Sequence, residues 1–338
     1  MPKTRDPARV AADIAEDLLF PNAPEIDASA VVPRRYLDAL AEVGLYGLYA
    51  PTGSGGFDAD PVTAGRVVEA LGGASLTTAF VWIQHHSVVR AIAGAAPAMR
   101  DGWLGPLGAG QVRAGIAYAA LRRPGPPAAV ARPAGDGWVI DGHAPWVTGW
   151  SRIDVLLAGA RAGADVVWAL LDAAAAPTCT VEPVHLDALQ ASATVAMQWT
   201  GHAVAPERTV AVEPFTEWQR RDAHGRQLNG YLALGVAARC ARLLGPSGLD
   251  ASVAAARLAL DAATPETVVT ARAESSLLAV RAAAALVAAG GGRGMESGSH
   301  AARLMREAMF LLVFGQTRDI RAAQLAALGA TPGREDPA

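Results

Sequence analysis

Charge is scarce in this chain: of 338 residues, 18% are Asp, Glu, Lys or Arg. The formal net charge is −3 and the pI about 6.2. That excludes the basic domain or stripe a nucleic-acid binder carries. Lysine is nearly missing, with Lys3 alone beside 28 arginines. GC-rich coding produces such a bias, and it carries no functional weight. Two cysteines, Cys179 and Cys240, are too few for a disulfide scaffold. A long apolar run is lacking as well. Residues 70–89 form the longest uncharged stretch near helix length, but hold two glycines, five Ser/Thr/Gln residues and a His-His pair. A spanning helix needs ~20 mainly apolar residues. Asp13, Glu16 and Asp17 fall where a signal peptide has its apolar core. A soluble, cytoplasmic protein with no membrane segment is expected.

What is abundant is apolar. Hydrophobic residues reach 51%, 76 of the residues are alanine, and mean hydropathy is +0.22. A disordered chain needs the opposite balance. At ~150 residues per domain the length suggests about two domains. The apolar surplus exceeds what a monomer of this size needs, so an oligomer or a ligand cleft is expected.

Three textures follow one another. Residues 1–108 read helical. ASAVVPRRYLDALAEVGLYGL has near-3.6 periodicity with Ser29 as its N-cap, 51–61 is a glycine-rich loop, and two more helices follow, the first ended by Gly72 and Gly73. Residues 109–213 hold strand-length apolar runs about every ten residues, which suggests an antiparallel β domain. Pro124, Pro126 and Pro127 belong in a loop there, since proline has no ladder donor. Residues 214–330 are helical again and alanine-rich, with a helix opening near Pro265-Glu266 and closing at the glycines 290–292. Residues 331–338 read as a frayed tail. The expected fold class is α+β: helical domain, antiparallel β domain, four-helix bundle. Close alanine faces make that bundle a natural oligomer interface.

Generic motifs are missing. GGGRG at 290–294 is not G-x-G-x-x-G, because Met295 and Ser297 stand where the third glycine belongs. GPSGLD at 245–250 is not a nucleophile elbow. His85 and His86 are adjacent, so on a helix they diverge by about 100° and read as a partly exposed polar face. His143, His185, His202, His224 and His300 have no ligand spacing, and no metal is expected. One pair does suggest a ligand. Trp146 and Thr148 are two apart at the end of a strand pair, and period-two alternation puts an indole and a hydroxyl on one side. A planar heteroaromatic would suit them. A core Trp beside an edge Thr would give the same spacing.

At these residues the chain resembles the acyl-CoA dehydrogenase family, from about residue 30 to 328, as a short and divergent member of actinobacterial type. DGWVIDGHAPWVTGW is similar to the family's D-G-[WY]-x-[IL]-x-G-x-K-x-W-[IV]-T segment, LDALQASATVAMQWT to its G-x-R-x-S-x-T strand, and GGGRGMESGSHAARLMREAM to its G-G-x-G-[YF]-x-x-E-x-P segment. The resemblance implies helical, β and four-helix domains, FAD as cofactor and an acyl-CoA substrate of unspecified chain. It implies isoalloxazine contacts at Trp146 and Thr148, with Tyr118, Gly291, Gly292, Gln316 and Thr317 as further cofactor positions.

The departures shape the functional expectation. The family's base, a glutamate that abstracts the α-proton, aligns with Gly298, and its second known position falls near Leu228. Glu296, two residues before Gly298, is the one nearby carboxylate and a weak candidate for a relocated base. A positioned base contributes ~10²–10⁴ in rate. No Thr-Glu-Pro follows Tyr118, Ala288 replaces a glutamine, the family's cross-dimer arginine turn is missing, and its Glu-Gly-Thr reads Gly315-Gln316-Thr317. The family includes heteromers in which one subunit holds the base and the other completes the flavin site. The expectation is therefore a homo- or hetero-oligomer, a dimer or tetramer with a dehydrogenase-like subunit, in lipid metabolism. The alternatives are a flavin monooxygenase-type member or a homomeric dehydrogenase using Glu296.

Overall fold

The computed structural model describes residues 6–330, with the side chains of all but 223–226. The expected tail at 331–338 lies outside the described residues. Helices come first: α1 (Pro7–Ile14), which runs into one π turn at Ala15–Leu19, then α2 (Ala23–Ala28), α3 (Arg34–Glu42), α4 (Pro61–Ala74), α5 (Leu76–Ala93) and α6 (Pro97–Gly108). Strands follow: β1 (Ala114–Ala117), β2 (Ala129–Ala134), β3 (Gly137–Val147), β4 (Val155–Ala162), β5 (Asp165–Asp172), β6 (Cys179–Pro183), β7 (Val195–Val204) and β8 (Thr209–Pro214). The chain closes with α7 (Phe215–Leu244), α8 (Gly248–Asp261), α9 (Val268–Gly290), α10 (His300–Val313) and α11 (Arg318–Ala327).

Local chemistry sets the helix starts. Asp60 accepts from the Val62 and Thr63 amides (2.9 and 3.0 Å) and Pro61 opens α4, an N-cap followed by a pre-set φ. Ser247 and Asp250 form a capping box on α8. Ser29 is no such cap: it closes α2, its hydroxyl bonded back to Glu25 O. The helix expected to start there waits until Arg34, because Pro33 holds the residue before it in extended backbone.

Gly72 and Gly73 do not end α4 either. The helix runs on to Ala74, and both glycines are buried where α7 crosses. A Cβ on Gly73 would lie 2.6 Å from Gly235 O, and one on Gly72 3.2 Å from Leu232 Cα. Two helix backbones touch there, which only glycine permits.

The sheet order is β6-β7-β3-β2-β4-β5-β8, with β1 beside β4. It is mixed rather than antiparallel: β1 runs parallel to β4 (Ala114 opposite Val155), and β2 meets β4 in parallel at Val130 and Arg161. Side-chain alternation is the same for either direction, so sequence periodicity cannot distinguish them. Residues 123–127, with the three prolines, lie outside the strands as expected. β5 is buried on both faces, under the strand core on one side and α5 and α6 on the other, so it reads as an unbroken apolar run.

Helices α7–α10 form the expected bundle, with α11 against α9. The segment 268–295, which includes α9, is apolar and long enough by composition to span a bilayer (mean hydropathy 1.4 over 18 residues), yet in the fold its first half packs inside the bundle.

Helix α5 is buried at 14 of its 18 residues, and His85 and His86 are among them, 1% and 2% exposed. The expected polar face is therefore wrong; α4, α6 and β1 wrap the helix on every side. His85 Nδ1 accepts from the Ala114 amide (3.0 Å), so its proton sits on Nε2, 3.1 Å from Leu107 O. One neutral imidazole thus ties α5 to the last turn of α6 and the start of β1. His86 has no hydrogen-bond partner on either nitrogen and packs edge-on to Trp82 and Tyr49. Burial pushes His85 down to about 3 and His86 well below its ordinary range.

Candidate functional site

Trp146 stands near the end of β3 with 44% of its surface exposed, while Thr148 is 4% exposed. The β3–β7 register shifts between Ala144 and Val147, and the strand ends at Val147. The bulge breaks the alternation that was expected to give the two side chains one environment. Instead the indole faces outward and the hydroxyl inward. Thr148 Oγ1 lies 3.4 Å from Thr194 Oγ1, which lies 2.8 Å from Ser192 Oγ. The backbone closes the same corner: the Gly149 amide donates to Ser192 O (2.8 Å) and the Trp150 amide to Ala193 O (3.2 Å).

Left-handed backbone clusters here, at Gly149 (φ +84), Ser151 (+63), Leu189 (+58) and Ala193 (+46). For a bulky Leu this is a rare conformation, held by the surrounding hydrogen bonds. A Cβ on Gly149 would lie 3.1 Å from Val81 Cγ1, so α5 forms the floor of the corner. Ser192 and Thr194 were not among the expected site residues. Their signal was the Ser-x-Thr spacing before β7, which meets Thr148 only in the folded chain.

Tyr118 is 8% exposed and lies in a different cluster. Its ring is edge-on to Trp168 (5.1 Å) and Trp218 (6.4 Å), with Arg122 above it. Arg122 in turn grips Asp222 of α7 with two bonds (2.8 and 2.6 Å). Tyr118 therefore packs where β5 meets the start of α7.

The loop between α9 and α10 carries the expected base position. Gly291 (φ +56) starts a 3-10 turn, Gly291–Met295, and Ser299 caps α10 by accepting from the Ala302 amide (3.1 Å). Gly298 has φ +83, and a Cβ there would meet no atom within 4 Å; the same space surrounds Gly291 and Gly292. Glu296 is exposed. Leu228 packs against the helical core.

The segment 315–317 follows α10. Gln316 does not point its amide outward: Nε2 donates to Leu312 O (3.0 Å) and Gln324 Oε1 (2.8 Å). Thr317 caps α11 through the Ile320 amide (3.4 Å). Among the described residues no three His, Cys, Asp or Glu side chains gather in a metal-binding group.

Residues 2–111 match the family model described as acyl-CoA dehydrogenase, N-terminal domain. No curated protein matches the sequence. Solved structures are similar over nearly the whole chain. Butyryl-CoA dehydrogenase of Megasphaera elsdenii aligns at TM-score 0.80 and 19% identity, over 96% of this chain and 97% of that one. Glutaryl-CoA dehydrogenase of Mycobacterium smegmatis, in complex with FADH2, aligns at 0.80 and 18%, over 98% and 95%. PigA in its FAD complex aligns at 0.81 and 17%, over 96% and 97%. At such identities the likeness is one of fold. Residues 2–111 thus carry the N-terminal domain of the acyl-CoA dehydrogenases, and the whole chain shares their fold.

Proposed function

We propose that the chain is the companion subunit of a heteromeric, flavin-dependent acyl-CoA dehydrogenase, working beside a dehydrogenase-like subunit that supplies the base. Gly298 carries this reading. Its left-handed φ of +83 is a conformation that an L-glutamate adopts only with strain. The loop is thus shaped for glycine, beyond having lost a carboxylate.

The residues present fit FAD on the β-domain side. Trp146 offers an exposed flat surface, and Thr148, Ser192 and Thr194 bring three hydroxyls together. Gly291 and Gly292 leave open space for a close approach to their backbone. When bound, FAD supplies the hydride acceptor for the acyl thioester. Trp146 would cover the ring system, Thr148 would hold the corner beside it through its inward contacts with Thr194 and Ser192, and 291–292 with 316–317 would meet the nucleotide. Since the Gln316 amide is engaged inward, that residue serves through its backbone. Tyr118 backs the site from the aromatic cluster. By the sequence resemblance, residues 245–266 fill the stretch of the family's cross-dimer arginine turn without that turn, which supports a partner completing the site. The protein is read as soluble and cytoplasmic.

Expression alone and with a dehydrogenase-like partner tests this. Alone, the chain is expected to hold little flavin and to show no bleaching by acyl-CoA. Together, a mixed oligomer should turn over. Full flavin and acyl-CoA bleaching of the chain alone overturns the reading. Activity that needs a flavin reductase and oxygen moves it to a monooxygenase.

Three variants sharpen the test. Gly298→Glu should lower stability by about 1 kcal/mol through αL strain and restore no dehydrogenation by the chain alone; a gain of activity would show the loop accepts a base. Glu296→Gln should leave the mixed oligomer's rate unchanged. A loss of ~10² or more would assign Glu296 the proton abstraction. Trp146→Ala should weaken flavin binding about tenfold, with unchanged thermal stability because the ring is exposed. Flavin fluorescence titration of the mixed oligomer reads it.

A further inference from the structure

Arg272 is 1% exposed, and its hydrogen-bond partners include no carboxylate. Removing a guanidinium from water is costly unless its charge is compensated. Here the compensation comes from the end of a helix. Arg272 lies on α9. Its Nη1 donates to Ser276 Oγ, and its Nη2 donates to Phe314 O (2.9 Å) and, more weakly, to Leu311 O (3.5 Å). Burial lowers the guanidinium to about 10, so it remains charged at neutral pH.

The last carbonyls of α10 can be accounted for one by one. Phe310 O accepts from the Phe314 amide (3.0 Å), and Val313 O from the Gln316 amide (3.3 Å). Leu312 O accepts from the Gln316 side chain (3.0 Å). Leu311 O accepts from Ser276 Oγ (3.0 Å), and the next carbonyl, on Phe314, is held by Arg272. The carbonyls of 310–313 carry the negative end of the helix dipole, and a cation beside them is favourable; Phe314, in extended backbone, lies just past the helix and is held by Arg272 directly.

Phe314 is the residue before the turn 315–317. Its ring also meets Phe80 of α5 (4.9 Å), and Gly315 packs against Asn229 of α7, so the turn is held from three helices. Arg272 is the charged anchor.

We propose that Arg272 is a positioning residue that fixes the end of α10 and so orders the turn 315–317 for contact with the FAD nucleotide. The ligand's identity rests on the reading above; the ordering of the turn does not.

Amide exchange in the flavin-free chain and flavin titration of the mixed oligomer test the two parts. In Arg272→Met, the amides of 315–317 should exchange about tenfold faster or more, while those of α4 stay unchanged, since a charged hydrogen bond to the part-buried Phe314 carbonyl is lost. Flavin affinity should fall by a similar factor. Arg272→Lys should restore most of both, because an ammonium reaches the same carbonyl. If the Met variant does not fold, Ser276→Ala should raise exchange at the same amides about threefold. Unchanged exchange in the Met variant, or in Ser276→Ala where it replaces it, overturns the proposal, as does faster exchange with unchanged flavin affinity. If the wild-type mixed oligomer binds no FAD, the functional reading fails, while amide exchange still decides whether Arg272 orders the turn.

Discussion

Gly235→Ala is expected to lower the thermal midpoint by about 4 °C, the equivalent of ~3 kcal/mol. The reason is a backbone contact. Gly235 of α7 faces Gly73 of α4, and a Cβ on it would collide with Glu69 O and lie 2.7 Å from the Gly73 amide nitrogen. Both obstacles are helix backbone, so no side chain can rotate aside. The helices must separate, and the separation propagates to Tyr231, Leu232 and Val236, all fully buried in the shared core. Gly53→Ala is the control: a Cβ there meets nothing within 4 Å, and a change within ~0.5 kcal/mol is expected. A midpoint for Gly235→Ala equal to that of Gly53→Ala would refute the close crossing.

Acidification between pH 6.5 and 5 should remove about 3 kcal/mol of stability through His85 and His86 together. Both are buried neutral, with His85 lowered to about 3 and His86 well below its ordinary value. The unfolded chain takes up their protons near pH 6.5 and the folded chain does not. Their stabilisation is therefore complete about a unit above pH 6.5 and falls as pH drops, approaching ~1.4 kcal/mol per unit for each histidine below it. Burial lowers His202 and His300 in the same direction, so the variant comparison isolates the pair. His86→Phe should remove about a quarter to a half of the pH slope in denaturant unfolding from pH 7 to 5. His86 makes no hydrogen bond, so Phe loses none and keeps the edge-on packing against Trp82. An unchanged slope would mean that His86 is hydrated or charged in the folded protein.

The order of helices, strands and helices was legible because periodicity, proline and glycine are local signals. Errors arose where a local signal had a distant cause. Gly72 and Gly73 have the composition of a helix end, but their partner is 160 residues away on α7. The His85-His86 pair looks polar until α6 and β1 close over it. Strand direction leaves no trace in alternation, so the expectation of an antiparallel domain missed the parallel pairing of β1 with β4. At the candidate site, Trp146 and Thr148 were noticed by spacing and weighted by resemblance. Ser192 and Thr194 were passed over, because their contact with Thr148 spans more than forty residues. Arg272 was invisible: an arginine in an alanine-rich helix resembles a solvated one until its carbonyl partners on α10 are in place.

Gly298 also bears on the history of the chain. A glutamate lost by one codon change can be regained by one, as long as the backbone still suits it. With φ at +83 it does not suit it. Regaining the base would require the loop to re-form its turn as well as change its side chain, and the turn alone confers no activity. On the proposed reading the backbone acts as a ratchet: once the loop had settled around glycine, selection could more readily keep a partner that supplies the base than rebuild it in this chain.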